Sequence, residues 1–144
     1  MIDREMVVKF QEMEKMAPRL RQGFAALTSA HPVFQGTLGL RSISVSDAQD
    51  DDSIEATFNG VRIKFKLMLI FGADRRPRAR VACINCHSTY GKPVQDYLGG
   101  FTFGADGMTD LDPDSGGNFP RVDADAATIV LRFLEAAVAA NKAL

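Results

Sequence analysis

The sequence predicts an α+β domain, in which an antiparallel β-meander of about five strands has an N-terminal helical segment and a C-terminal helix packed on it. Three observations lead to this prediction. Apolar residues recur at helical spacing near the N-terminus, an Asn59-Gly60 pair joins two alternating runs, and apolar residues dominate the final segment. The 144 residues suit a single α+β domain that spans residues 1–144.

The composition is that of an ordinary soluble protein, with 46% apolar and 24% charged residues. The net charge of -1 excludes a bulk attraction to nucleic acid or anionic membranes, so such binding would need a local patch. Segment 1–10 has acidic side chains and no apolar run, unlike a secretory signal, and no segment approaches the roughly 18 to 20 apolar residues of a spanning helix. We therefore expect a cytoplasmic protein without a disulfide framework.

The first predicted helix runs from Asp3 to about Thr28. Asp3 is placed as its N-cap, and Pro18 predicts a kink or the start of a second helix, because proline lacks an amide donor. The pair His31-Pro32 is expected to end the helical region. The apolar residues that recur at steps of three and four include Ile2, Met6, Val7, Phe10, Met13, Ala17, Leu20, Phe24 and Leu27.

The stretch from Ser53 to Phe71 is predicted to form a β-hairpin around Asn59-Gly60. Both turn residues tolerate positive φ, and a two-residue turn fixes the register of the two strands. One face is then apolar, and the other sets Glu55 against Lys64. The predicted pairs are Phe58 with Val61, Ala56 with Ile63, Ile54 with Phe65, Thr57 with Arg62, Glu55 with Lys64, and Ser53 with Lys66.

Three further strands complete the predicted meander, at about Leu38–Ser46, Arg78–Cys86 and Tyr97–Phe103. Residues 87–96 are expected to form a loop that contains Gly91 and Pro93. The Gly99-Gly100 pair predicts a β-bulge or a close backbone approach. The Asp-rich segment 47–52 is expected to be exposed, and the Gly- and Asp-rich segment 104–120 is expected to be irregular.

The last predicted helix begins at Asp123 or Asp125 and ends near Asn141. An aspartate there caps free amide groups and suits the positive end of the helix dipole. Its polar residues, Thr128, Arg132, Glu135 and Lys142, fall on one narrow stripe. Because the rest is apolar around well over half the circumference, we expect two covers: the sheet on one side, and the N-terminal helix or a second subunit on the other.

The string Cys83-Ile84-Asn85-Cys86-His87 matches C-x-x-C-H, the attachment pattern of c-type haem. Its place at the end of a predicted strand, without an export signal, argues against haem. A thioredoxin-like redox pair usually opens a helix within a βαβ pattern, which this sequence lacks. Zinc would need more ligands, and His31 is the remaining imidazole. We expect Cys83 and Cys86 to alternate to opposite sheet faces, at least one of them in the core. This leaves both cysteines and His87 as weak metal candidates and predicts no cofactor.

The carboxylates of Asp110, Asp112 and Asp114 are spaced like the first ligands of a calcium loop. That loop needs glycine at its sixth position and glutamate at its twelfth, where this chain has Ser115 and Arg121. A solvated loop is therefore the better interpretation. The sequence also lacks a P-loop, a dinucleotide-binding glycine turn and a G-x-S-x-G elbow, which favours a protein that is not an enzyme.

Basic residues mark the outer face of the hairpin, where Arg62, Lys64 and Lys66 are followed by Met68 and Ile70. Such a stripe suits an acidic protein surface or a phosphate backbone. Interleaved aromatic residues would favour single-stranded nucleic acid, but none is expected on this face. A solvated sheet face is the simpler interpretation, so we do not expect a nucleic-acid partner.

Together these patterns predict a small non-catalytic protein-interaction module that forms a homodimer or binds another protein, with no membrane partner. The alternative is a small-ligand pocket, enzymatic or not, between the sheet and its helices, where Cys86, His87, Tyr90 and Tyr97 are the residues to test. The candidate binding residues are Arg62, Lys64, Lys66, Met68, Ile70, Tyr90 and Tyr97.

Overall fold

The computed structural model describes residues 1–48, 52–113 and 117–141. It contains a five-stranded antiparallel sheet in the order β1-β2-β3-β4-β5 with an N-terminal helix and a C-terminal helix, which confirms the α+β prediction. The elements are α1 (Arg4–Ala25), β1 (Ile43–Asp47), β2 (Ser53–Phe58), β3 (Val61–Phe71), β4 (Pro77–Thr89), β5 (Lys92–Phe103) and α2 (Ala126–Asn141).

The N-terminal helical segment is longer and more continuous than the sequence predicts. Asp3 is the N-cap, and its carboxylate accepts a hydrogen bond of 2.9 Å from the Glu5 amide. α1 passes through Pro18, so a second helix starting there is wrong. Helical turns also continue past Pro32 to Thr37, so the predicted end at His31-Pro32 is wrong; buried Phe34 anchors these turns in the core.

The β2–β3 hairpin is confirmed, and every predicted pair is in the expected register from Ser53↔Lys66 to Phe58↔Val61. Asn59 and Gly60 adopt φ values of 46° and 87°, the left-handed conformation that a tight two-residue hairpin turn needs. Part of the acidic segment before this hairpin, residues 49–51, lies outside the described residues.

The predicted loop at residues 87–96 is wrong, because β4 continues to Thr89 and β5 already begins at Lys92. Tyr90 and Gly91, with φ values of 53° and 76°, form a two-residue turn between them. Tyrosine rarely adopts positive φ, so the sequence carries no Asn-Gly or Asp-Gly signal at this turn. Pro93 is tolerated because β5 is an edge strand of the sheet.

The predicted bulge in the last strand is confirmed. The register shifts between Cys83 and Ile84, which pair with Gly99 and Tyr97, so Leu98 is the extra residue. The close approach is present as well: a Cβ atom added to Gly100 would lie 2.3 Å from the carbonyl oxygen of Val81.

The core lies between one face of the sheet, called here the inner face, and the helices. Phe65 and Phe101 from the sheet and Phe34 from the turns after α1 are almost completely buried. Phe133 of α2 meets the Phe65 ring edge-on, with 5.7 Å between ring centroids. The second side of α2 is contacted by the helical turns of residues 26–32, so the N-terminal helical segment supplies the additional cover.

Residues 104–120 are irregular in their described part, and residues 114–116 lie outside it. Two isolated bridges, Phe103 with Thr109 and Met108 with Arg121, hold the segment beside the end of β5. The Asp125 carboxylate accepts a hydrogen bond of 2.8 Å from the Arg121 amide just before α2 begins.

Replacing Gly100 by alanine is expected to lower the free energy of unfolding by about 2–3 kcal/mol, because the methyl group would overlap the Val81 carbonyl. Gly36→Ala is the matched control, since a Cβ added there meets nothing within 4 Å. Urea unfolding followed by circular dichroism measures both variants. Equal stability of Gly100→Ala and the wild type would contradict the close approach.

Candidate interaction surfaces

The face of the sheet opposite the helices, called here the outer face, carries most of the predicted binding residues. Cross-strand pairing sets Lys64 against Ile84, Lys66 against Ala82, and Met68 against Arg80. Arg62, Lys66, Met68 and Arg80 are all exposed, so no described helix covers this part of the sheet. The structure thus places the basic hairpin residues together on one open surface.

Tyr97 also lies on the outer face, contrary to the prediction that this face has no aromatic residue. It pairs with Ile84, is 61% exposed, and its hydroxyl accepts a hydrogen bond of 3.1 Å from the Arg80 guanidinium. The bulge is the reason: the extra residue Leu98 reverses the alternation, so Tyr97 points away from the side that Phe101 occupies. The Gly99-Gly100 pair was the signal in the sequence for the face on which Tyr97 lies, because the pair predicts this bulge.

The charged groups of the outer face are partly paired. The Arg62 guanidinium lies 3.5 Å from the Glu55 carboxylate, and Arg78 lies 2.8 Å from Asp74. Water screens ion pairs as exposed as these, so they do not define the fold. They do leave the face with an excess of basic side chains around Lys66 and Arg80.

The apolar end of the outer face is formed by Met68, which is 63% exposed, and by Ile70, which is half-buried. On the inner side of the same strand, Leu67 and Leu69 pack against the core. Tyr90 is not part of this surface: it is 99% exposed at the tip of the β4–β5 hairpin.

The C-x-x-C-H residues are divided between the two sheet faces. Cys83 is completely buried on the inner face beside Phe65, whereas Cys86 pairs with Arg62 on the outer face. The His87 imidazole lies 2.6 Å from the Asp96 carboxylate. Within the described ranges, no group of three or more His, Cys, Asp or Glu side chains is placed to hold a metal ion.

The other polar candidates have structural partners. His31 Nδ1 accepts a hydrogen bond of 3.0 Å from the Val45 amide, which ties the helical turns to β1. The Asp110 carboxylate accepts a hydrogen bond of 2.7 Å from the Thr102 amide. Asp112 is exposed, and Asp114 of the proposed calcium pattern lies outside the described residues.

The sequence interpretation missed one surface, which is formed by the uncovered N-terminal half of α1 and by Ile2 just before it. We call this surface the α1 overhang (Ile2, Met6, Val7 and Phe10). The apolar stripe of α1 is buried at Leu20 and Phe24 but emerges from the core towards the N-terminus. The available signal was the apolar periodicity from residue 2 to residue 27. A 22-residue helix is about 33 Å long, more than this core covers.

The α1 overhang makes limited contact within the chain. Phe10 meets the Phe71 ring edge-on at a centroid distance of 5.4 Å, yet Phe10 remains 57% exposed. Met6 and Ile2 are 56% and 80% exposed.

A separate apolar groove of about 390 Å³ lies between α2 and the β1 edge. It is lined by Leu40, Ile43, Phe58, Leu131, Leu134, Glu135 and Val138.

Comparison with known proteins identifies no family for this chain. No protein-family model matches it, and neither does any curated protein or solved structure. In the part of the chain that the structure describes, no helix has the length and apolar character needed to cross a membrane. We therefore infer function from the exposed surfaces alone.

The buried Cys83 thiol leads us to expect a loss of stability in alkaline solution. Burial, followed by the nearby Cys86 sulfur, raises the pKa of Cys83 far above its ordinary value of 9.0. Above pH 9 the unfolded chain loses this proton while the folded protein keeps it. The contribution of the thiol to stability is therefore constant below pH 9 and falls above it by about 1.4 kcal/mol per pH unit.

Urea unfolding of the wild type and of Cys83→Ala, measured from about pH 7.5 to about pH 10.5, tests this expectation. Because both proteins share every other titrating group, the difference between their unfolding free energies isolates Cys83. A difference that stays constant across this range would show that the thiol ionises as easily in the folded protein as in the unfolded chain.

Proposed function

We propose that the protein is a cytoplasmic, non-catalytic protein-interaction module that acts as a homodimer, in which two copies pair through the α1 overhang. The observation that carries this proposal is the exposed apolar stripe of Ile2, Met6 and Phe10. It continues the buried apolar stripe of the same helix, and an exposed apolar stripe is typical of an interface and not of a solvated helix face. The free thiols of Cys83 and Cys86 suit a reducing compartment.

The overhang is complementary to itself in charge. Beside its apolar stripe, the first half of α1 carries Arg4 and Lys9 together with Glu5 and Glu12. If the two helices pair antiparallel about a two-fold axis, basic groups of one copy face acidic groups of the other. The outer face of the sheet lacks this balance, because its basic residues would meet themselves across a two-fold axis.

The area is sufficient for a small dimer. The exposed parts of the overhang side chains supply roughly 1,000 Å² counted over both copies, which is the lower bound for a specific interface. Met6 and Phe10 contribute to this area, and both residue types are enriched at interface cores. Association of moderate strength is therefore expected, with a dissociation constant in the micromolar range of about 1–50 µM.

The alternative, a ligand pocket between the sheet and its helices, has less support. The Phe65, Phe101 and Phe133 rings pack together in that space. Two of the residues named for such a pocket, Tyr90 and Tyr97, are largely exposed, at the hairpin tip and on the outer face. The protein-interaction module is therefore the better supported of the two functions.

Met6→Glu is expected to convert the dimer into a monomer, because it places a carboxylate within the apolar stripe. Val8→Glu is the matched control: Val8 is 58% exposed against 56% for Met6. The two residues are separated by about 200° around the helix, so Val8 lies on the opposite side. Sedimentation velocity from about 1 to about 100 µM measures the assembly state of the wild type and both variants.

We expect the wild type and Val8→Glu to sediment as dimers at the upper concentrations, and Met6→Glu as a monomer. A wild type that stays monomeric over the whole range would overturn the proposal. So would a Met6→Glu variant as dimeric as Val8→Glu, because the stripe would then lie outside the interface.

A further inference from the structure

We propose that the outer face of the sheet carries a phosphate-binding pocket formed by Ser53, Lys66 and Arg80. A cavity of about 360 Å³ lies on this face, which is ample for a phosphate group and part of the molecule that carries it. It is lined by Asp52, Ser53, Lys66, Leu67, Met68, Arg80 and Ala82.

Two cationic side chains flank this cavity from neighbouring strands. Lys66 is opposite Ala82, and Arg80 is opposite Met68, so the two basic residues are diagonal neighbours on one face. Backbone positions related in this way are about 7–8 Å apart, and long side chains span that distance easily. Lys66 and Arg80 can therefore contact the same small anion from two sides.

Arg80 lines the cavity from β4, while its guanidinium is held on the side of that strand that faces β5. Its guanidinium donates a hydrogen bond of 3.1 Å to the Tyr97 hydroxyl, which uses one of its amino groups. A guanidinium has five N–H donors in a planar fork, so further donors remain for an oxyanion. Tyrosine fixes the arginine without neutralising it, which a carboxylate partner would do.

Ser53 provides the second, independent observation. Its side chain lies in the strand position opposite Lys66, it is only 4% exposed, and none of the described residues offers its hydroxyl a hydrogen-bond partner. A buried hydroxyl without a partner costs free energy, so it marks a place where a polar ligand would be stabilising. Ser53 and Lys66 both line the cavity.

The acidic residue at the pocket does not cancel this positive charge. The Asp52 carboxylate forms an ion pair with Arg21 of α1 and is thereby turned to another partner. Lys66 and Arg80 thus face the cavity with two positive charges. A phosphate monoester carries about 1.5 to 2 negative charges near neutral pH, whereas a carboxylate carries one, so phosphate balances the site better.

This inference does not depend on the proposed dimer. The pocket lies on the outer face of the sheet, whereas α1 packs on the inner face through Leu20 and Phe24. Dimerisation can therefore fail while phosphate binding persists, and the reverse also holds. The two sets of variants, in α1 and on the outer face, separate the two proposals.

Inorganic phosphate is the first probe, titrated into the ¹⁵N-labelled full chain and followed by NMR. We expect the amide signals of Ser53, Lys66 and Ala82 to shift with a dissociation constant of about 1 mM or lower. Lys66→Gln and Arg80→Gln should each weaken binding about tenfold, the loss of one charge-assisted hydrogen bond. Ser53→Ala should weaken it about threefold to tenfold.

Arg62→Gln is the matched control, because it removes a positive charge from the same face at a residue that pairs with Glu55. It should change the affinity for phosphate by less than about twofold. If Arg62→Gln weakens binding as much as Arg80→Gln, the attraction is diffuse and the pocket is refuted. Absence of shifts at about 10 mM phosphate also refutes it, as does equal affinity for acetate.

The carrier of the phosphate is distinguished by two further probes, AMP and a phosphoserine peptide. Tenfold tighter binding of AMP than of inorganic phosphate would assign the pocket to small phosphorylated molecules. Tenfold tighter binding of the peptide would assign it to a phosphorylated protein. Either result supports the pocket only if Lys66→Gln and Arg80→Gln abolish the gain.

Discussion

The contact of Phe133 with Phe65 and Phe101 is the interaction on which the rest of the structure depends. It attaches α2 to the inner face of the sheet, at a place where three aromatic rings bury most of their surface. Because the sheet has one such apolar face, the helices pack on the same side of it. The outer face consequently remains open, and it carries charged residues over much of its area.

The same one-sided packing limits how much of α1 can be covered. The core accepts Leu20 and Phe24, whereas Met6 and Phe10 extend past it. An amphipathic helix that is longer than its core keeps an apolar stripe in water unless another molecule covers it. The fold thus provides two separate surfaces, an exposed apolar stripe at the start of α1 and a basic area on the outer face of the sheet.

Much of the fold could be predicted from local chemistry. The Asn59-Gly60 turn specifies its own register, and the regular spacing around Phe24 and Phe133 indicates two helices. The β4–β5 turn could not be predicted, because Tyr90 adopts positive φ only where the strand pairing enforces it. The face on which Tyr97 lies depends on a separate feature, the bulge at Leu98.

The candidate surfaces were predicted less completely, for a physical reason. Alternation along β3 correctly places Lys66 and Met68 on one face, since strand periodicity is local. Whether an apolar stripe is covered depends on how far a helix extends past its neighbours, which is a property of the packed molecule. The second side of α2 was predicted to be covered by the N-terminal helix or a second subunit, and the N-terminal helical segment covers it, whereas the exposed stripe of Ile2, Met6 and Phe10 lies at the start of α1.

The most direct test of the central claim is amide hydrogen exchange in α1 at two protein concentrations, about tenfold below and tenfold above the dissociation constant. If a second copy covers the α1 overhang, exchange of the amides of residues 6–12 slows at the higher concentration, while exchange in β4 is unchanged. Exchange in residues 6–12 that is the same at both concentrations would contradict the claim, because the stripe would then remain in water.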